Sequence, residues 1–350
     1  MMYNDIRNKS YNIPYRLYSN QLCFSYSKVG TFTFKGYTGP NGGNSVSQNK
    51  KLAIKKSFSE MLERRSLMIG SDIDNERKVK ALNLIDRKVY EILEKNIKFN
   101  DQEDIYTDTT GTSTHISSQT SIFNALKELL EKNCLFLFWY GRRGISLNSE
   151  ELIRSLNFGY KFHHNQKLFM FLNNDFPPFI TIISVLIEDQ KIIGSGIASD
   201  LNFKQAINAS LFELILLKEQ KFINQTYARI YGVRQRCFLE SSLEEKEQYF
   251  HLKKLKNDLP IIKINIKSFN KVKTKNIFQI VDSLPSWIES LYCVYIKHNL
   301  NNQLKTVRVY SKELYNHIPI KDWVSGSKPV SIHFNINKVE IDSTPNCPII

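Results

Sequence analysis

Alternation of apolar and polar residues in "QLCFSYSK" and "GTFTFKGY" predicts strands near the start of the chain. A turn-forming stretch, "GPNGGNSVSQN", follows, and the pattern then shifts to a helical spacing over about Lys50–Met68. "KALNLIDRKVYEILEKNI" reads as a second amphipathic helix, and Ser121–Tyr140 as a third. Strand-like runs come next at "KLFMFLN", "FITIISVLIED" and "KIIGSGIASD", ahead of a helix over about Lys204–Lys218. The last third offers further strands at "PIIKINI", "LYCVYIKHN", "LKTVRVYS" and "SIHFNINKVEI". No low-complexity linker divides these elements.

Composition narrows the class. With 350 residues, 42% hydrophobic and 12% aromatic, the chain has material for a sizeable core. No apolar run approaches the roughly 20 residues that span a bilayer. "MMYNDIRNKSYNIPYRLYSN" lacks the apolar centre of a secretory signal. A cytoplasmic protein with no membrane partner is expected. Cys23, Cys134, Cys237, Cys293 and Cys347 are scattered and never spaced as CxxC, which argues against a disulfide framework or structural zinc. The formal charge of +14 suits either phosphate-bearing ligands or solvated lysine faces. Its basic stretches, "NKKLAIKK" and "HLKKLKND", are mixed with apolar helix residues, and no basic–aromatic platform or helix-turn-helix pattern is present. No nucleic-acid partner is expected.

Chemistry enters with the glutamates. Three helix segments each follow a Gly- or Asn-containing loop and set glutamate among apolar neighbours: "SFSEMLERRS", "NALKELLEKN" and "ASLFELILLKE". Glu60 and Glu63, and again Glu128 and Glu131, stand three residues apart on one helix face, with Arg64 placed to pair with Glu60. Asn124 lies one turn before Glu128. Glu213 interrupts an apolar run, where an unpartnered carboxylate is costly or changes its protonation. Unequal intervals exclude a solenoid repeat, yet three helix-borne acidic positions can converge on one place. Each glutamate alone also fits an ordinary solvated helix face. Together, behind the loop "DTTGTSTHISSQTS", they fit a magnesium–phosphate site. Hard cations take oxygen ligands, and a Gly/Ser/Thr loop offers N–H groups and hydroxyls to phosphate. Neither GxxxxGK[ST] nor GxGxxG is present. His115, alone in this polar loop, reads as structural.

At these residues the chain resembles the YcaO family. "SFSEMLERRS" is similar to that family's ExxER helix. "NALKELLEKNCLFLFWY" is similar to its ELIERD helix and the apolar–aromatic continuation. "GSGIASDLNFKQAINASLFEL" is similar to the later segment in which a Gly-x-Gly strand end precedes a glutamate helix. The three follow in family order over about Gly43–Gln220. Lys132 and Asn133 stand where the family usually has Arg-Asp, Leu216 where a polar residue is common, and Lys56 where a small or hydroxyl residue is expected. "GGNSVSQN" lacks the basic GKG-like loop of many members.

The resemblance implies an α+β fold of mixed and antiparallel sheets, with glutamate-bearing helices around an ATP–Mg2+ site. It implies one domain over 1–350: N-terminal strands and arm at 1–42, a nucleotide-binding core at 43–220, and a β-rich part with a Pro-containing tail at 221–350. It places Glu60, Glu63, Glu128, Glu131 and Glu213 as magnesium ligands, and turns Asn124, Arg64, Glu128, Glu213 and Arg308 toward ATP.

Within the family the likeness is closest to the azoline-forming cyclodehydratases, subunits of microcin-type thiazole/oxazole synthetases. In the implied reaction a Cys, Ser or Thr side chain of a ribosomal precursor peptide attacks the preceding carbonyl. ATP phosphorylates the resulting oxygen, and loss of phosphate leaves a thiazoline or oxazoline. The tail "STPNCPII" is similar to the proline-rich tail that reaches the active site in these enzymes, here through Pro345 and Pro348; a frayed terminus fits the same residues. The region before Gly43 is too short for a winged-helix leader binder. A leader-binding partner subunit is therefore expected, together with a flavin-dependent azoline dehydrogenase. Two other readings stay open: activation of a backbone amide for thioamide or amidine formation, and a non-catalytic scaffold subunit.

Overall fold

A computed structural model describes residues 22–28, 33–34, 37–38, 42–68, 77–98, 100–102, 105–156, 164–231, 242–262, 276–297 and 303–349. Strands β1 (Cys23–Lys28), β2 (Thr33–Phe34), β3 (Tyr37–Thr38) and β4 (Gly42–Ser47) precede helix α1 (Lys50–Met68). Strands β5 (Lys78–Asn83), β6 (Val89–Leu93), β7 (Asn100–Gln102), β8 (Ile105–Thr107) and β9 (Thr112–His115) lead to α2 (Ser118–Trp139). Then come β10 (Ile145–Leu147), α3 (Ser149–Leu156), β11 (Gln166–Asn173), β12 (Ile180–Glu188), β13 (Lys191–Asp200) and α4 (Phe203–Tyr231). The chain continues through α5 (Ser242–Asp258), α6 (Ile277–Val281), β14 (Tyr292–Ile296), β15 (Lys305–Tyr310), α7 (Pro329–His333) and α8 (Lys338–Ser343).

Two larger antiparallel sheets carry the architecture, in the orders β10-β11-β12-β13 and β6-β5-β14-β15-β9; β1 and β4 form a third, two-stranded sheet. Helix α2 runs through the middle. From Leu129 to Tyr140 every residue is buried, the signature of a helix enclosed on all sides. Its start is set by Ser117, whose Oγ accepts from Thr120 N. Leu135, Phe136, Leu137 and Phe138 join Phe171, Phe176 and Val309 in the main core. A second core packs Leu168, Met170, Ile182 and Leu186 of the four-stranded sheet against Phe203, Ile207, Leu211 and Leu214 of α4. Asn133 is buried within α2 with its amide fully used: it donates to Leu129 O and Tyr315 O and accepts from Tyr315 N. That side chain ties the C-terminal region to the central helix.

Three sequence expectations change. "KALNLIDRKVYEILEKNI" is the β5–β6 hairpin rather than a helix. Two alternating runs meet at a turn where Arg87 has φ of 64° and Asp86 accepts from Lys88 N, so their combined spacing imitates a helical period. "SIHFNINKVEI" forms α7 and α8 instead of a strand, with Pro329 at the first helical position of α7 and an Asn337–Glu340 capping box on α8. "GGNSVS", read as a turn, is strand β4. Most of "PIIKINI" and all of Cys237 lie outside the described residues.

Candidate functional site

The site forms where three strand edges meet three helices. Strands β4, β9 and β13 each feed a helix, α1, α2 and α4, that folds back along the strand's free edge. In the first and third units a glycine allows the approach. A Cβ on Gly43 would stand 2.2 Å from Ser57 O, and one on Gly196 would stand 2.1 Å from Ser210 O. Gly111 does different work in the second unit, since its φ of 74° favours glycine. On the helix side Ser57, Ala125 and Ser210 are fully buried and keep the contact face small.

One turn after each small residue comes a glutamate that caps the strand. Glu60 Oε2 accepts from Asn44 N at 2.6 Å, Glu128 Oε2 from Thr112 N at 3.3 Å, and Glu213 Oε2 from Ile197 N at 2.8 Å; each bond spans 16 residues. Edge N–H groups turned away from their sheet need such partners when buried. A second glutamate then reaches the next unit along. Glu63 Oε1 accepts from Thr114 N at 2.7 Å, and Glu131 Oε2 accepts from Ser199 N at 2.9 Å. Helix α4 has Leu216 at this position, so the third unit returns no carboxylate to β4. The five glutamates predicted from sequence are thus brought together, each clasped through one oxygen by a backbone N–H, with the other oxygen of Glu60 on Arg64.

Electrostatics follow from burial. Desolvation pushes Glu63 up to about 8, against its bond from Thr114, and pushes Glu213 up to about 7, against the pull of Lys132. Glu60, Glu128 and Glu131 are also raised, chiefly by burial. Burial draws Lys132 down, but Glu213, Glu131, Glu128 and Asp108 outweigh it, and the ammonium is raised overall. Lys132 and Asp108 were not among the predicted site residues. Asp108 is buried and accepts from Thr110 N and Ile318 N, which leaves it to shape the field rather than to bind freely.

The other predicted residues are placed as follows. Arg64 bonds Glu60 at 2.7 Å and donates to Gly42 O at 2.9 Å. Asn124 is half-buried one turn before Glu128. Arg308 is fully buried, donating Nη1 to Ile97 O and Nη2 to Asn316 O; its Nε and the Oγ1 of Thr112, its cross-strand partner, have no hydrogen-bond partner among the described residues. His115 Nδ1 accepts from Ser117 N at the start of α2, a structural role. The tail is packed: Pro345 O accepts from Trp139 Nε1 at 2.8 Å, Asn346 O from Gln248 Nε2, and Ile349 is buried. Burial pushes the Cys347 thiol up to about 12.

Hard oxygen donors held in place suit magnesium, and five carboxylates outweigh Arg64, Lys127 and Lys132 around them. Among the described residues no three Asp, Glu, His or Cys side chains close on one point as a metal cage. Magnesium characteristically takes one or two carboxylates and fills its remaining positions with water and substrate phosphate, so the donor set fits that mode.

Solved structures share this architecture. YcaO from Methanopyrus kandleri bound with AMPPCP and Mg2+ is similar at TM-score 0.60 and 12% identity, over 84% of this chain and 86% of that one. The E. coli microcin synthetase McbBCD complex with pro-MccB17 bound contains a chain similar at TM-score 0.59 and 14% identity, over 92% of this chain and 96% of that one. A heterocyclase in complex with substrate and cofactor is similar at TM-score 0.60 and 11% identity, over 87% of this chain and 49% of that one. The protein is an α+β protein, and its fold is the YcaO fold. No protein-family model and no curated protein matches the sequence. No helix among the described residues is long and apolar enough to cross a membrane.

Proposed function

We propose that this chain is a YcaO-family cyclodehydratase subunit, dependent on ATP and Mg2+, that converts Cys, Ser or Thr of a ribosomally made precursor peptide to thiazoline or oxazoline. The observation that carries this reading is the set of five strand-clasped carboxylates at the meeting of α1, α2 and α4. The fold likeness to structures holding AMPPCP and Mg2+, or pro-MccB17, supports it.

Magnesium ATP supplies the phosphoryl group that makes the peptide oxygen a leaving group. This chain's residues would do the rest. Glu63, Glu128, Glu131 and Glu213, each fixed by one oxygen, would present the other without reorganising, which is what electrostatic stabilisation of a charged transition state requires; Glu60, clasped by Asn44 and paired with Arg64, would join them once Arg64 turns to phosphate. Asn124 and Arg64 stand on the nucleotide side. Arg308, on the strand paired with β9 opposite Thr112, would lend its positive charge to the nucleotide from below the site. The tail, with Pro345 and Pro348, would flank the peptide. A leader-binding subunit and a flavin-dependent dehydrogenase complete the assembly in this reading, which works in the cytoplasm.

Mass spectrometry of a precursor peptide incubated with the assembled complex and Mg-ATP tests it. Loss of one water per modified residue, abolished by Glu128→Gln, is the expected result. ATP turnover without water loss would redirect the reading to another amide activation. A folded complex with neither would leave a scaffold.

A further inference from the structure

Two glutamates reach across to a neighbouring unit, and the strands receive them in a common way. Glu63 is clasped by Thr114 N and Glu131 by Ser199 N. Each receiving residue also carries a hydroxyl, and each hydroxyl is bonded to one directly across the sheet. Thr114 Oγ1 lies 2.7 Å from Thr306 Oγ1 of β15, and Ser199 Oγ lies 2.7 Å from Thr181 Oγ1 of β12. All four residues are no more than 3% exposed. The clasps within a unit are built otherwise: Asn44, Thr112 and Ile197 are opposed by Tyr26, Arg308 and Ile183. The third crossing has neither part. Val46 holds the matching place on β4, two residues beyond Asn44; it is opposed by Phe24, and α4 offers Leu216 there. Hydroxyl pair and crossing glutamate are present together or absent together.

The pair on β13 extends into a circuit. Thr181 Oγ1 donates to Cys134 Sγ at 3.2 Å, so the hydrogen between Thr181 and Ser199 comes from Ser199. Cys134 stands three residues after Glu131, on the same face of α2. Helix α2 therefore holds the β12–β13 pair at two points, one through a carboxylate and one through a sulfur. Beside Thr306, Lys305 O accepts from Ser121 Oγ at 2.8 Å, which ties β15 to the same helix.

We propose that Thr181 and Thr306 are positioning residues for the metal-side carboxylates: through Ser199 and Thr114, their hydroxyls set the N–H groups that aim Glu131 and Glu63. The inference rests on the nucleotide reading above and adds what orients its ligands. A shift of either receiving residue would carry its N–H away from a glutamate held on another unit's helix. A buried cross-strand hydroxyl pair resists that shift, because opening it leaves polar atoms without partners. Groups behind a metal's direct ligands orient them, and their loss is felt in metal affinity.

The test uses the full chain with Mn2+ and AMPPCP as probes, read by the electron paramagnetic resonance of bound Mn2+, with thermal melting alongside. Thr181→Val and Thr306→Val nearly keep the shape and remove the hydroxyl, and each is expected to weaken Mn2+–AMPPCP binding by about tenfold. Thr181→Ser and Thr306→Ser keep the hydroxyl and should bind as the wild type does. Ser331→Ala is the control: it removes a buried hydroxyl, bonded to the Tyr315 hydroxyl and Ser325 O, that belongs to no clasp. It should melt lower and keep wild-type Mn2+ binding. Should a Val variant fail to fold, Ser199→Ala or Thr114→Ala, which keep the N–H and lose the hydroxyl, carry the same expectation. Wild-type Mn2+ binding by the hydroxyl-free variants, or an equal loss in Ser331→Ala, would overturn the inference and leave the nucleotide reading intact. No Mn2+–AMPPCP binding by any of them, wild type included, would overturn both.

Discussion

Helices α1 and α2 use one local pattern, two glutamates three apart followed by a basic residue, and reach different outcomes. On α1 the Glu60–Arg64 pair is roughly one-third exposed and closes at 2.7 Å, an ordinary intrahelical ion pair. On α2 the counterpart, Glu128–Lys132, closes no ion pair among the described residues; the ammonium lies 3.9 Å from Glu131 Oε1 and is nine-tenths buried. Local spacing puts the charges on one face. The surroundings decide which charge each one answers. The first cation closes a partly solvated pair within its own helix, while the second is a buried charge set among Glu213, Glu131 and Glu128 together.

The sharpest way to break this comparison is to neutralise one carboxylate on each edge. Glu128→Gln keeps the shape but loses a hard ligand, and azoline formation should fall by about a hundredfold or more. Glu213→Gln, on the helix that carries Leu216 in place of a second glutamate, should cost about tenfold, the range of a supporting residue. Rates of water loss from the precursor measure both; equal losses would erase the distinction between edges.

Next in size is the backbone approach that makes the clasps possible. Gly43→Ala and Gly196→Ala each force a Cβ into helix backbone, and each should destabilise the protein by about 1–3 kcal/mol in urea unfolding. Gly196→Ala should also weaken the Ile197–Glu213 clasp, and with it the β13 edge.

A pH series sharpens the electrostatic side. Folded Glu63 and Glu213 bind protons more tightly than in the unfolded chain, with values of about 8 and about 7 against an ordinary 4.5. Between 4.5 and about 8 the folded state therefore holds the extra protons, and metal-free stability falls as pH rises through that window. Bound Mg2+–AMPPCP favours the charged carboxylates and should flatten the decline. Melting temperature against pH, with and without the ligand, reads this directly. The smallest effect is expected at Arg64→Ala, about 1 kcal/mol, since its ion pair is partly solvated.

Much of this site was legible before any coordinates. The five glutamates, Arg64 and Asn124 stand out by spacing within helices, and α1, α2 and the start of α4 are where periodicity put them, although α4 runs on from Lys218 to Tyr231. The reason three helices with unequal intervals converge was less visible. It lies in the glycines: Gly43, Gly111 and Gly196 each precede the strand residue clasped by a glutamate 16 positions later. That constant separation was present in the sequence, but it runs from a strand to a helix, and no single-element period detects it. Lys132 stood out only as a departure from a family pattern, because its partners lie on α4 and before β9. The β5–β6 hairpin hides for the opposite reason: two strand periods joined by a turn sum to a helical one.

Calorimetric titration of Mg2+–AMPPCP into the wild-type protein and Glu128→Gln tests the central claim most directly, that strand-clasped carboxylates form a metal–nucleotide site. The account predicts magnesium-dependent binding to the wild type that is lost, or weakened by about tenfold or more, in the variant. Binding that is indifferent to magnesium, or equal in the two proteins, would contradict it.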